Sequence, residues 1–206
     1  MPTPDVHAFV SASLPPRPAR VLEIGAGDGT LATALRGDGY DVLAIDPAGG
    51  PEILQVPLLE LDAPVHFFGA AVAVTSLHHV DPLAASIEHL AALLPPGAPL
   101  VVDEFDVGRY DERAARWWLS HADHEHAPAE MVHEMRAHLH AVPTITAALE
   151  PWFAVGAPVR GPYLYRWEID PALRGEEEEL IAAGTIPATG ARFIAIRGSR
   201  APAAAR

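Results

Sequence analysis

Apolar residues in this chain fall into short runs separated by glycine, proline and charge. Val21–Ile24 is an apolar run that ends in glycines, and Leu31–Leu35 then has helical character and stops at Gly37 and Gly39. Val42–Ile45 is a second run, closed by Asp46-Pro47, and Ala70–Thr75 is a third whose continuous apolar character fits a strand buried on both faces. Asp81-Pro82 resembles an N-cap followed by proline at the first helical position. Beyond it Leu83, Ile87, Leu90, Ala91 and Leu94 share one helical face, and Pro95-Pro96-Gly97 ends the helix. Leu100–Phe105 is a further strand. Strands alternating with helices predict an α/β fold with a mostly parallel sheet.

Residues 107–150 break this rhythm: they are charged, rich in His and Trp, and mostly helical, with Pro128 as a helix start. They are expected to form an insertion or cap. Apolar runs return from Phe153, with a last strand at Ala191–Arg197. Between these, Glu176–Glu179 suits a solvated first helical turn, where the helix dipole favours negative charge. The expected organisation is one domain over 1–206, with a core at 20–106, the cap at 107–150, C-terminal strands and a helix at 151–198, and a frayed tail at 199–206.

Composition narrows the chemistry. The formal charge is −13, from 27 acidic against 14 basic residues, which argues against nucleic acid or an anionic membrane as the partner. There is no cysteine, so disulfides, thiolate nucleophiles and cysteine metal sites are excluded, and no lysine, so a Schiff base or P-loop lysine is excluded. No apolar stretch reaches 18 residues and residues 1–19 carry no signal-like apolar core, so a cytoplasmic protein is expected, as a monomer or homodimer.

The sharpest local signal is Glu23-Ile24-Gly25-Ala26-Gly27-Asp28-Gly29 at a strand-to-helix junction. Glycines there let the backbone approach a ligand, and a helix start offers free N–H groups. Asp46 stands at the tip of the next strand, where a carboxylate can accept both hydroxyls of a ribose. In the dinucleotide fingerprint G-x-G-x-x-G the third glycine would fall at Thr30; here it is one place early, at Gly29. A nucleoside carrying an amino-acid carboxylate, without a pyrophosphate, fits this loop better.

These residues, with Ala44-Ile45-Asp46, Ser76-Leu77-His78-His79-Val80 and Leu93-Leu94-Pro95-Pro96-Gly97, resemble the motifs of class I S-adenosylmethionine-dependent methyltransferases of the methyltransferase-11 type, in order and spacing over residues 20–106. The resemblance implies a Rossmann-like seven-stranded sheet with the last strand antiparallel and the cap after strand five, which is the strand at 100–105 in the family's counting. It implies that Glu23, Gly25, Ala26, Gly27 and Gly29 line the methionine part of S-adenosylmethionine. Asp46 would then hold the ribose, Pro47 border the adenine, and Thr75, Ser76 and Leu77 flank the sulfonium. Leu58 is offered as a wall of the adenine site.

His78 and His79, after a strand end, are the candidate bases, with His79 the preferred one and one of the two expected to be structural. Glu104 is a third candidate, weighed against an ion pair with Arg109 or Arg113. Trp117, Trp118, Tyr163, Tyr165 and Trp167 are candidate walls for a planar acceptor. The histidines at 121, 124, 126, 133, 138 and 140 include His133 and His140 on one expected helical face and Glu134 with His138 at i,i+4, a spacing that can hold zinc, but there is no H-E-x-x-H and no one fixed ligand spacing, and no metal is expected. The leading function is a methyltransferase for a small-molecule acceptor at oxygen, nitrogen or carbon. The alternatives are a protein that binds S-adenosylmethionine without transferring methyl, and an NAD(P)-dependent oxidoreductase.

Overall fold

In a computed structural model, which describes residues 4–200, the chain forms one twisted sheet covered by helices on both faces. The strands are β1 (Arg20–Ile24), β2 (Asp41–Ile45), β3 (Ala70–Val74), β4 (Pro99–Phe105), β5 (Phe153–Val155), β6 (Val159–Gly161) and β7 (Gly190–Arg197). The helices are α1 (Pro4–Ser13), α2 (Thr30–Gly37), α3 (Leu83–Leu93), α4 (Glu112–Leu119), α5 (Pro128–His138), α6 (Val142–Leu149) and α7 (Arg174–Ala182).

Strand order is β2-β1-β3-β4-β7-β5, with β6 also paired to β7. β1 to β4 are mutually parallel, and β7 is antiparallel to β4, β5 and β6, so the last strand alone runs against the other six. The segment after β2 adds no further strand and makes one parallel bridge, between Ile45 and Leu54. Pro51 and Pro57 bracket that segment and deny it ladder donors. The cap follows the strand at 100–105 as expected, which is β4 in this chain's own count.

Period-two alternation splits the core in two. Leu22, Ile24, Ala71, Ala73, Leu100 and Val102 meet Ile87, Leu90 and Leu94 of α3 and its end, and Ile145 and Leu149 of α6. On the other face Val21, Val42, Val72 and Val101 meet Val6 and Val10 of α1 and Leu31 and Leu35 of α2. Phe105, Tyr110, Trp118, Tyr163 and Leu164 form a third cluster under α4 and α5. α6, within the stretch expected as cap, thus covers the sheet itself.

Four local expectations are corrected. Pro82, not Asp81, is the N-cap of α3: its backbone is extended and its carbonyl accepts the first helical N–H, from Ser86 at 3.1 Å. His133 and His140 do not share a helix, because α5 ends at His138 and Pro143 opens α6. The acids 176–179 are not all solvated: Glu177 is fully buried and accepts the N–H groups of Tyr163, Leu164 and Tyr165 at 2.8, 3.0 and 2.9 Å. Trp118, Tyr163 and Tyr165 are buried, and Trp118 stacks on Trp167 with centroids 4.3 Å apart, so Trp118, Tyr163 and Trp167 build the cap's core instead of an open wall. Residues 201–206 of the expected tail lie outside the described residues. Among the described residues no helix is long and apolar enough to cross a membrane.

Candidate functional site

The loop after β1 is shaped by its glycines and by one carboxylate. Gly25, Gly27 and Gly29 have φ of 69°, 54° and 76°, in the left-handed region that side chains disfavour. Gly25 N and Ala26 N both donate to the Ile45 carbonyl, at 2.9 and 3.0 Å, which turns the chain across the end of β2. A Cβ on Gly25 would stand 2.3 Å from the Ser76 Cβ, so the absence of a side chain is what lets this loop meet the turn after β3. Asp46, at the tip of β2, accepts Gly27 N–H at 2.9 Å through one oxygen and Ala48 N–H at 2.8 Å through the other.

Two hollows open on either side of Gly25. The larger, about 350 Å³, is lined by Asp46, Pro47, Val56, Leu58, Ser76 and His79 among others. The smaller, about 240 Å³, is lined by Glu23, Ala26, Thr30 and Val74. Gly25 lines both. Glu23 is 3 % exposed and its Oε2 is a buried atom with no hydrogen-bond partner. Burial pushes its carboxyl up to about 8; Arg36 opposes the rise and Asp28 adds to it.

The turn after β3 is held by β4. Thr75 has φ of 53° and its N–H donates to the Asp103 carbonyl at 2.8 Å. A non-glycine residue kept left-handed beside a ligand-sized hollow is a place where strain is held by its surroundings. Glu104, fully buried on β4, accepts Ser76 N–H and Leu77 N–H at 3.2 and 2.9 Å on Oε2. Its Oε1 accepts Phe105 N–H at 2.8 Å and meets His78 Nδ1. The expected ion pair of Glu104 with Arg109 or Arg113 does not form: Arg109 donates to the Ala188 carbonyl and Arg113 pairs with Asp111. The two histidines part company, His78 buried against Glu104 and His79 exposed at the larger hollow. Burial and then His78 lower the pKa of His79, against Glu104 and Asp46, so its ring is neutral at pH 7.

Of the residues expected to hold a cofactor, Glu23, Gly25, Ala26, Asp46, Pro47, Thr75 and Ser76 line the hollows, and Gly27 meets them through Asp46. Gly29 lines neither and serves as the N-cap of α2. Leu77 buries its side chain in the sheet core, so only its backbone belongs to the turn. Asp103 escaped the sequence reading: it is 1 % exposed and gathers Arg166 and Arg192 at 2.9 and 2.8 Å behind Tyr163 and Thr75. An acid in an apolar strand, flanked by Val102 and Glu104, was its only signal. The histidine-rich stretch disperses into separate pairs such as His121 with Glu176 and His124 with Glu168. Among the described residues no group of three or more His, Asp or Glu is placed to hold a metal ion.

A parallel α/β sheet with a glycine turn after its first strand and an acid on the next strand tip defines a nucleoside-binding class of protein. A family model described as a methyltransferase domain matches residues 4–142, and the chain belongs to this family of class I S-adenosylmethionine-dependent methyltransferases. It is 37% identical over 100 residues to an uncharacterised methyltransferase of Mycobacterium tuberculosis, a match covering 42% of this chain and 40% of that protein. It is 34% identical over 115 residues to a ubiquinone biosynthesis O-methyltransferase of Xylella fastidiosa, covering 46% and 45%. The chain thus spans under half the length of these relatives. A crystal structure of an S-adenosylmethionine-dependent methyltransferase from Mesorhizobium loti superposes with a TM-score of 0.61 at 18% identity, covering 91% of this chain and 95% of that one.

Proposed function

We propose that this protein transfers a methyl group from S-adenosylmethionine to a small-molecule acceptor. The observation that carries the reading is a pair of carboxyl groups divided by one glycine: Asp46 in the larger hollow and an unpartnered, buried Glu23 in the smaller. The ligand this pair suits has vicinal hydroxyls at one end and an ammonium at the other, which is the nucleoside–amino acid outline of S-adenosylmethionine. Asp46, already oriented by two backbone N–H groups, accepts the ribose hydroxyls. Pro47, Val56 and Leu58 offer apolar faces to the base, and the neutral ring of His79 closes the same wall. An entering ammonium supplies the partner that Glu23 Oε2 lacks, and Glu23 gives up its proton to accept it.

Bound in this way, the cofactor supplies a methyl group already activated by its sulfonium. The protein's share is alignment: Gly25 and Ser76 bring two loops into contact, and the Thr75 N–H bond to Asp103 and the Glu104 carboxylate fix the turn on which Ser76 sits. The small-molecule class of acceptor is supported by the relationship to the Xylella O-methyltransferase and by a net charge of −13, which disfavours nucleic acid.

Calorimetry on the full chain with S-adenosylmethionine, S-adenosylhomocysteine and NADPH tests the reading. The two sulfur nucleosides are expected to bind and NADPH is not. Asp46→Ala is expected to weaken binding at least tenfold, about 1.4 kcal/mol. Binding of NADPH alone, or unchanged affinity in a folded Asp46→Ala, would overturn it. Release of S-adenosylhomocysteine over a metabolite panel separates methyl transfer from binding without transfer.

A further inference from the structure

Resting on the reading that the larger hollow takes the nucleoside, we propose that His140, in the link between α5 and α6, is a positioning residue that fastens the cap to the turn carrying His79. His140 is half-buried and lines neither hollow. Its backbone N–H donates to the His78 carbonyl at 3.0 Å, and its Nε2 meets the Val80 carbonyl at 3.1 Å. Those two carbonyls flank His79, and His79 and Val80 both line the larger hollow. One residue of the cap thus grips the chain on either side of the histidine that faces the ligand space.

This grip complements the hold from β4. Glu104 takes the N–H groups of Ser76 and Leu77, at the start of the turn. The turn then closes on itself, through His79 N–H to the Ser76 carbonyl at 3.1 Å and Val80 N–H to the Leu77 carbonyl at 3.2 Å. None of these bonds reaches the carbonyls of His78 and Val80, and among the described residues His140 is the donor to each. His140 is in turn held from behind. Val142, two residues on, donates its N–H to buried Asp106 at 3.1 Å and packs into the sheet core with Ile145 and Leu149. On the other side Arg136, in the last turn of α5, donates to the carbonyls of Gly108 and Tyr110 at 3.3 and 3.0 Å. A link anchored at both ends can hold a turn in place, where a free loop would only follow it.

The chemistry of the grip is specific. A carbonyl oxygen has no hydrogen to give, so the hydrogen of the ring contact sits on Nε2, and the neutral ring keeps its lone pair on Nδ1. Glutamine carries an amide N–H at about the reach of a histidine Nε2 and can repeat the bond; alanine cannot. A wall that is already in place need not be ordered when a ligand enters, so loosening it weakens binding even in molecules that remain folded. Loss of global stability alone leaves the affinity of folded molecules as it was, and the two effects are separable.

Three measurements on the full chain test this. Calorimetry is expected to show S-adenosylhomocysteine binding about 5-fold more weakly to His140→Ala, the counterpart of one hydrogen bond lost. Amide hydrogen exchange of His79 and Val80 is expected to quicken in the same variant relative to that of Val72 in β3, since the loosening is local. His140→Gln should restore both, and exposed His133→Gln should behave as wild type. Long-range ¹H–¹⁵N correlation with ¹⁵N-labelled histidine is expected to show His140, assigned by its loss in His140→Gln, as the Nε2–H tautomer. An Nδ1–H tautomer overturns the proposal, and that spectrum decides even where His140→Ala fails to fold. In a folded His140→Ala, unchanged affinity or unchanged exchange overturns it as well, as do losses that His140→Gln does not restore. Failure of the wild type to bind S-adenosylhomocysteine would instead strike the methyltransferase reading, while exchange and tautomer still decide the grip of His140.

Discussion

Replacing Glu23 with glutamine removes one proton-binding group and nothing else of comparable size, which makes it a direct probe of the smaller hollow. In the folded protein this carboxyl titrates at about 8 because burial disfavours its charge, against 4.5 for a free glutamic acid. Between those two pH values the folded chain keeps a proton that the unfolded chain has lost. Wild-type stability is therefore undiminished by Glu23 below pH 4.5, falls as the pH rises, and levels off above about 8. The 3.5-unit gap between 8 and 4.5 corresponds to about 5 kcal/mol at 1.36 kcal/mol per unit. Glu23→Gln has no such slope, so the difference in denaturation free energy between the two proteins, referred to its value at pH 4.5, should widen over that window. Ligand binding reads the same proton. An ammonium seated against Glu23 ionises it, and at pH 6.5 this releases about one proton per S-adenosylmethionine bound, given an α-amino group that is already protonated. Titration calorimetry in buffers of different ionisation enthalpy measures that release, which is close to one proton because a group titrating at about 8 is almost fully protonated at pH 6.5. In Glu23→Gln it should drop to near zero while affinity falls about 10- to 100-fold, the worth of a charge-assisted hydrogen bond. Binding heats independent of the buffer in the wild type would refute the placement of the ammonium at Glu23.

Further outcomes follow from single contacts. Gly25→Ala should disrupt the loop and abolish cofactor binding, because its Cβ would stand 2.3 Å from that of Ser76 at a φ of 69°. Gly27→Ala meets nothing within 4 Å and should cost only its left-handed strain, about 1 kcal/mol, so melting and calorimetry must separate the two. Glu177→Ala leaves three buried N–H groups, of Tyr163, Leu164 and Tyr165, without an acceptor. About 3 kcal/mol of stability should be lost, or roughly 6–12 °C in Tm, with Glu177→Gln intermediate; an unchanged Tm would show that water replaces the carboxylate.

The sequence by itself determined the architecture and one half of the site. Short apolar runs closed by glycine and proline marked β1, β2, β3 and β4, because a strand buried on both faces tolerates nothing else. The glycine turn and Asp46 were legible because both lie within a residue or two of a strand end, where local backbone chemistry decides what stands there. The tertiary structure alone decided the partners of groups distant in the chain. Glu104 and His78 are separated by 26 residues, Asp103 and Arg192 by 89, and Glu177 and Tyr163 by 14, and no periodicity relates the members of any pair. Whether His78 or His79 faces the hollow was equally hidden, since adjacent residues in a tight turn diverge according to which of them the strand alongside can bond. A buried charge or amide must find a partner, but chain order does not say where; the packing of sheet, cap and turn against one another does.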